Sequence, residues 1–151
     1  MDQKNSVLIV DDEVQSISLL SDILRHQYTI YATKNSREAF SVARKFNPDV
    51  ILLDIIMPDM DGYDVIAELK GSEDTKDIPV IFVSGLGDAP SEEKGLLAGA
   101  ADYITKPFSP VIVKLRVENQ MRIINLRGEL KAALDVARAC GALAAGGQTD
   151  E

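Results

Sequence analysis

Residues 52–62 read LLDIIMPDMDG, and the way this stretch ends decides the fold. Leu52 and Leu53 close an apolar run beginning at Asp49-Val50, the kind of run expected of a strand buried on both faces. Where the run should simply turn, it carries a carboxylate, Asp54, and then Pro58, Asp59, Asp61 and Gly62, residue types that favour turns or caps. An acid at the carboxyl end of a buried strand is useful if other elements deliver side chains to the same edge.

Outward from that strand, short β-rich apolar runs alternate with helical patterns. The strands are expected at about Ser6 to Val10, Tyr28 to Thr33, Asp49 to Leu53, Pro79 to Val83 and Asp102 to Thr105. Between them lie amphipathic stretches: Val14, Ile17, Leu20 and Leu24, then Ala39, Phe40, Ala43 and Phe46, then Val65, Ile66 and Leu69. Strand alternating with helix predicts an α/β fold, a doubly wound, five-stranded parallel sheet covered on both faces. Asn35 or Ser36 caps the second helix and Asn47-Pro48 stops it. The fourth helix carries Gly95 and Gly99, each costing about 1 kcal/mol against Ala inside a helix, and is expected to move most easily.

At 151 residues the chain fits one domain with some extension, and its 46% hydrophobic and 26% charged content is that of a globular protein. No apolar run approaches a membrane span, and MDQKNSVLIV lacks a signal-peptide layout, so a cytoplasmic location is expected. One cysteine, Cys140, and one histidine, His26, supply no soft-metal cluster. A net charge of -8 argues against direct nucleic-acid binding. His26, near the end of the first helix, suits the helix dipole better than a phosphocarrier role.

In an open parallel sheet ligands sit beyond the carboxyl ends of the strands. The residues found there are Asp11-Asp12-Glu13, Asp54, Ser84-Gly85 and Lys106-Pro107. Singly, each has a plain explanation: Asp12 as a helix cap, Ser84 as a turn hydroxyl, Lys106 as a solvated lysine. Together, the carboxylates repel one another unless a hard divalent cation neutralises them, which predicts a Mg2+ site. Lys106 and the Ser84 hydroxyl then suggest an oxygen-rich anionic guest, a phosphoryl group, with Asp54 as the nucleophile that forms an aspartyl phosphate.

The segments VLIVDDE, DVILLDIIMPDMDG, IPVIFVSG and AGAADYITKPF, in this order, resemble the receiver domains of two-component response regulators over about residues 5–122. The resemblance implies a flavodoxin-like sheet of order 2-1-3-4-5. It implies Asp54 as phosphoacceptor, Asp11 and Asp12 as the acidic pocket for Mg2+ with the Ile56 backbone carbonyl as a further ligand, and Lys106 as the phosphate-binding lysine. Ser84 and Tyr103 become the switch pair, and Lys106-Pro107 a cis peptide. The implied partner is a sensor histidine kinase or a phosphotransfer protein, and the implied activity is a signalling switch, not an enzyme with turnover. Two other readings compete. An independent Mg-dependent phosphatase of one class would need a paired Asp-x-Asp, whereas Asp54 is followed by Ile55 and Ile56; a phosphorylation-independent dimerisation scaffold would not need the full set of site residues.

Beyond the receiver the helical pattern continues through residues 123–143. Ile123, Leu126, Leu130, Ala133, Ala137 and Cys140 fall at alternating three- and four-residue steps, a short coiled-coil-like seam. It is expected to serve as a homodimer interface or as a linker to an output domain outside this chain, with folding back onto the receiver as the alternative. Residues 144–151, AAGGQTDE, read as a flexible tail.

Overall fold

The computed structural model describes residues 4–148. Five strands, β1 (Ser6–Val10), β2 (Thr29–Thr33), β3 (Val50–Leu53), β4 (Val80–Ser84) and β5 (Asp102–Thr105), form one sheet of order β2-β1-β3-β4-β5. Every neighbouring pair is parallel. Helices α1 (Val14–Leu24), α2 (Ala39–Phe46), α3 (Gly62–Lys70), α4 (Ala89–Leu97) and α5 (Pro110–Gln148) follow the strands in turn, which is the predicted doubly wound arrangement.

Strand periodicity divides the core in two. Leu8, Val10, Ile51, Leu53 and Phe82 face one side with Val65, Ile66 and Leu69 of α3, while Val7, Ile9, Val50, Leu52, Ile81 and Val83 face the other with Leu20 of α1 and Val113 and Val117 of α5. All of these are buried, so β3 is apolar on both faces and Asp54 follows from a rigid position.

Local chemistry sets the boundaries. Tyr28, expected to open β2, instead gives its N–H to the Leu24 carbonyl and belongs to the exit of α1. A 3-10 turn, Ser36–Glu38, leads into α2, with the Asn35 carboxamide accepting the Arg37 N–H. Asn47 ends α2 in the left-handed conformation, φ 47°, ahead of Pro48. Asp61 caps α3 in a reciprocal capping box with Asp64.

The two glycines of the fourth helical stretch have other roles than the flexibility expected of them. Gly99 lies outside α4 at φ 108°, and Gly95 is buried where a Cβ would come within 3.0 Å of the Phe82 ring and 3.1 Å of the Tyr103 ring. Gly62 is tighter still. A Cβ there would sit 2.5 Å from the Asp54 carbonyl oxygen and 2.7 Å from Ile55 Cα. Gly62→Ala is therefore expected to push the Asp54–Ile55 backbone aside at a cost of about 3 kcal/mol, read from the urea midpoint. An unchanged midpoint would contradict this packing.

The C-terminal part of α5 stands away from the body: every residue from 125 to 141 is exposed. It does not fold back on its own sheet. Helix α5 runs through Gln148, and residues 149–151, the end of the segment read as a tail, lie outside the described residues.

Candidate functional site

Four strand ends bring the site together, and two of them carry buried acids. Asp11 follows β1 and is 1% exposed, and Asp54 follows β3 and is 4% exposed. Backbone bonds fix both: Asp54 N–H donates to the Val10 carbonyl at 2.9 Å, and Asp11 N–H to the Thr33 carbonyl at 3.3 Å. Asp12 and Glu13 extend the cluster, each of the four carboxylates placing one oxygen within 4.8 Å of the others. Glu13 belongs to the acidic triplet of the sequence but has no ligand role in the sequence reading. Its signal there is only its position beside two better-placed acids.

Lys106 enters from the β5 end. Its Nζ lies 2.9 Å from Asp11 Oδ2, 3.7 Å from Asp54 Oδ2 and 3.8 Å from Glu13 Oε1. The Lys106 N–H donates to the Ser84 carbonyl at 2.7 Å, which ties the lysine to the end of β4, and the Lys106–Pro107 peptide is cis. Burial pushes the lysine's pKa down, but the hydrogen bond to Asp11 and the charges of Asp54, Asp11 and Glu13 outweigh it and leave the ammonium favoured.

One cation does not balance this cluster. Burial first, then the Asp11 charge, raise the Asp54 pKa from 3.8 to about 6, against the lowering effects of Lys106 and the Ile55 N–H. Asp12 does not cap α1: the N-cap is Glu13, without a side-chain cap, and Asp12 Oδ1 is buried with no hydrogen-bond partner. A buried orphan carboxylate oxygen among mutually repelling acids fits a hard divalent cation, and the donors are the oxygen atoms such an ion prefers. Asp11, Asp12 and Asp54 would supply the acidic part of such a donor set, with the Ile56 carbonyl two residues beyond Asp54.

Ser84 is fully buried at the end of β4, its Oγ accepting the Leu86 N–H at 3.3 Å. Tyr103, in β5, is 7% exposed, its ring edge-on to Phe82, and its hydroxyl donates to the Leu86 carbonyl. The backbone of Leu86 thus joins the two side chains, one through its N–H and one through its C=O. Sequence reasoning singles out Ser84 and Tyr103 but has no means of seeing this link, which is made by a main chain. Ile56 is 60% exposed between buried Ile55 and Met57, so its side chain projects from the edge toward solvent. Asp59 has φ 68° and Asp61 caps α3; the conformation and cap explain both without site chemistry.

Residues 7–118 match the family model described as response regulator receiver domain. The transcriptional regulatory protein SrrA of Staphylococcus aureus is 40% identical over 119 residues, 78% of this chain and 48% of that protein. A Vibrio cholerae protein named as a probable cyclic di-GMP phosphodiesterase is 38% identical over 117 residues, 78% of this chain and 26% of the relative. This chain thus spans between about a quarter and a half of the length of these relatives. Among solved structures, a response regulator from Desulfuromonas acetoxidans superposes with a TM-score of 0.73 at 28% identity, covering 79% of this chain and 98% of the other. The Francisella response regulator 1452 receiver domain gives 0.74 at 27% identity, covering 80% and 99%.

Proposed function

Because the chain belongs to the family of response regulator receiver domains, we propose that Asp54 accepts a phosphoryl group from the phosphohistidine of a sensor kinase or phosphotransfer protein. The observation that carries this reading is the meeting of Lys106 with Asp11 and Asp54 at one strand edge, 2.9 and 3.7 Å from its Nζ. With its pKa at about 6, Asp54 is mostly ionised near neutral pH and can act as a nucleophile. A carboxylate oxygen attacks phosphorus, a P–O bond forms, and the P–N bond to imidazole breaks with its electron pair leaving on nitrogen. Lys106 neutralises charge on the transferring oxygens, and the Ser84 hydroxyl, whose oxygen already accepts from Leu86, keeps its proton to donate to one of them.

Asp11, Asp12, Asp54 and the Ile56 carbonyl would hold Mg2+, which would supply further neutralisation of charge at this edge. The adduct carries roughly -1.5 to -2 charges where the ionised carboxylate carried -1, spread over three phosphoryl oxygens at the strand edge. Drawing Ser84 toward it disturbs the Leu86 N–H, and the Leu86 carbonyl passes that movement to Tyr103, so the switch reaches the face between α4, β5 and α5. The chain is then a signalling switch, with residues 5–122 as the receiver and α5 beyond it as the route to an output domain or a second chain. Intact mass after incubation with acetyl phosphate and Mg2+ tests the reading: one phosphoryl group per chain supports it, whereas many turnovers of a small phosphate ester without an adduct would favour the phosphatase.

Ile56, two residues after Asp54, and half-buried Leu86, two residues after Ser84, are apolar, so neither position offers a polar side chain to orient an attacking water. The phosphoryl group is therefore expected to persist for minutes or longer. Ile56→Asn should shorten its lifetime by roughly tenfold, equivalent to about 1.4 kcal/mol of barrier. Loss of label from purified protein within seconds would overturn this reading.

A further inference from the structure

Helix α5 is apolar on two sides. Val113, Val117 and Met121 fill the core on one. On the other, Ile112, Leu115, Ile123, Leu126 and Leu130 are between 40% and 59% exposed. Their spacing is not the heptad read for residues 123–140. Residues 112–119 are IVKLRVEN and 123–130 are IINLRGEL, so Ile, Leu, Arg and Glu recur eleven residues later, and 134–141, LDVARACG, retains the Arg with Leu in place of Ile. An eleven-residue period, 3.67 residues per turn, stays close to the natural helix repeat, and its stripe runs nearly along the axis. From Ile112 to Ala137 that stripe is about 39 Å long.

The opposite side changes where the helix leaves the body. Val117 and Ile124 pack against the core, but at the next positions of the same side come Lys131 and Asp135. The side that meets water becomes polar, while the stripe facing away from the body stays apolar. An isolated helix this long gains its stability from packing, so the stripe requires a cover.

We infer that the cover is the α5 helix of a second copy, packed parallel and in register. A second copy offers the same length and the same eleven-residue period. Charge selects the direction. Arg127 and Arg138 follow one edge of the stripe and Glu118 and Glu129 the other, where Arg122 pairs with Glu118 of its own chain; Arg116, at the start of the first edge, pairs with Asp102. In a parallel two-fold pair the arginine edge of one helix meets the glutamate edge of its partner; an antiparallel pair sets like against like. Asn119, the polar residue in the stripe, points to the same choice. In register it meets Asn119 of the other copy and hydrogen-bonds to it, whereas antiparallel overlap of the whole stripe would leave it against Leu130. Gly128, which would weaken a heptad zipper, lies off the stripe, and a Cβ there would meet nothing.

This inference is independent of the phosphoryl-transfer reading, and the unphosphorylated full chain tests it. At about 100 µM, where a micromolar dimer is nearly saturated, light scattering should give twice the 16.4 kDa of one chain. Leu126→Asp with Leu130→Asp, at exposed positions, should return the chain mass with the far-ultraviolet dichroism of the body retained. Leu130→Cys in a Cys140→Ala background should form an interchain disulfide on mild oxidation. A parent that scatters as a single chain would overturn the second copy as occupant and assign the stripe to another partner; a dimer in which the Leu130→Cys variant forms no interchain disulfide would overturn the parallel register.

Discussion

Asp54→Asn is expected to abolish phosphoryl uptake and, in metal-free buffer near pH 7.5, to raise the stability of the fold by about 2–3 kcal/mol. The two effects have one cause. Burial and the neighbouring Asp11 raise the Asp54 pKa from 3.8 to about 6, and its side chain is only 5% exposed. Below about pH 3.8 the carboxyl is protonated in both folded and unfolded chains and costs nothing. Between 3.8 and 6 the unfolded chain releases the proton while the folded chain holds it, so stability falls as pH rises; above 6 the whole cost, about 3 kcal/mol, is present. The amide removes that cost together with the nucleophile. Urea titrations of parent and variant should therefore coincide near pH 4 and diverge toward neutrality, and added Mg2+ should narrow the gap by stabilising the parent more. A variant that is less stable than the parent at neutral pH, by an amount independent of pH, would show that Asp54 is not strained by its neighbours. A variant that still gains the mass of a phosphoryl group would remove Asp54 from the role of acceptor.

The strand edge is legible in the sequence because β3 is apolar on both faces, so an acid at its end stands out, and because parallel topology sends every strand's carboxyl end to one side. That places Asp11, Asp54 and Lys106 together from one-dimensional information, and in the folded chain the lysine lies 2.9 and 3.7 Å from the two acids. What escapes depends on main-chain geometry. Leu86 matters through its N–H and C=O, which no side-chain pattern reports. Gly95 suggests a weak helix but is small because two aromatic rings need the space. In α5 the seam read from the sequence begins at Ile123; burial separates the core side from the exposed side, and the exposed apolar residues then extend back to Ile112.

Lys106→Met should have the opposite effect on stability from Asp54→Asn, destabilising the fold by about 3–5 kcal/mol near pH 7.5, because it leaves Asp11 and Asp54 buried without their cation. Methionine keeps most of the aliphatic stem, so the loss reports charge more than packing. The sign follows from the raised Lys106 pKa: its contribution is fully present below the unfolded value of 10.5 and disappears only as pH climbs through the folded one, so neutral pH reads all of it. The loss should shrink as pH falls through about 6, where Asp54 takes up its proton. Phosphoryl uptake should slow by roughly 10²–10³, as expected when a charged donor is removed from a transferring group. Combining the two substitutions separates the interactions. If Lys106 and Asp54 act as one electrostatic unit, the Lys106→Met loss in an Asp54→Asn background should be smaller by about 1–2 kcal/mol than in the parent. Strict additivity would mean that Asp11 and Glu13 hold Lys106 without Asp54, and that its 3.7 Å approach to Asp54 does nothing for the resting fold.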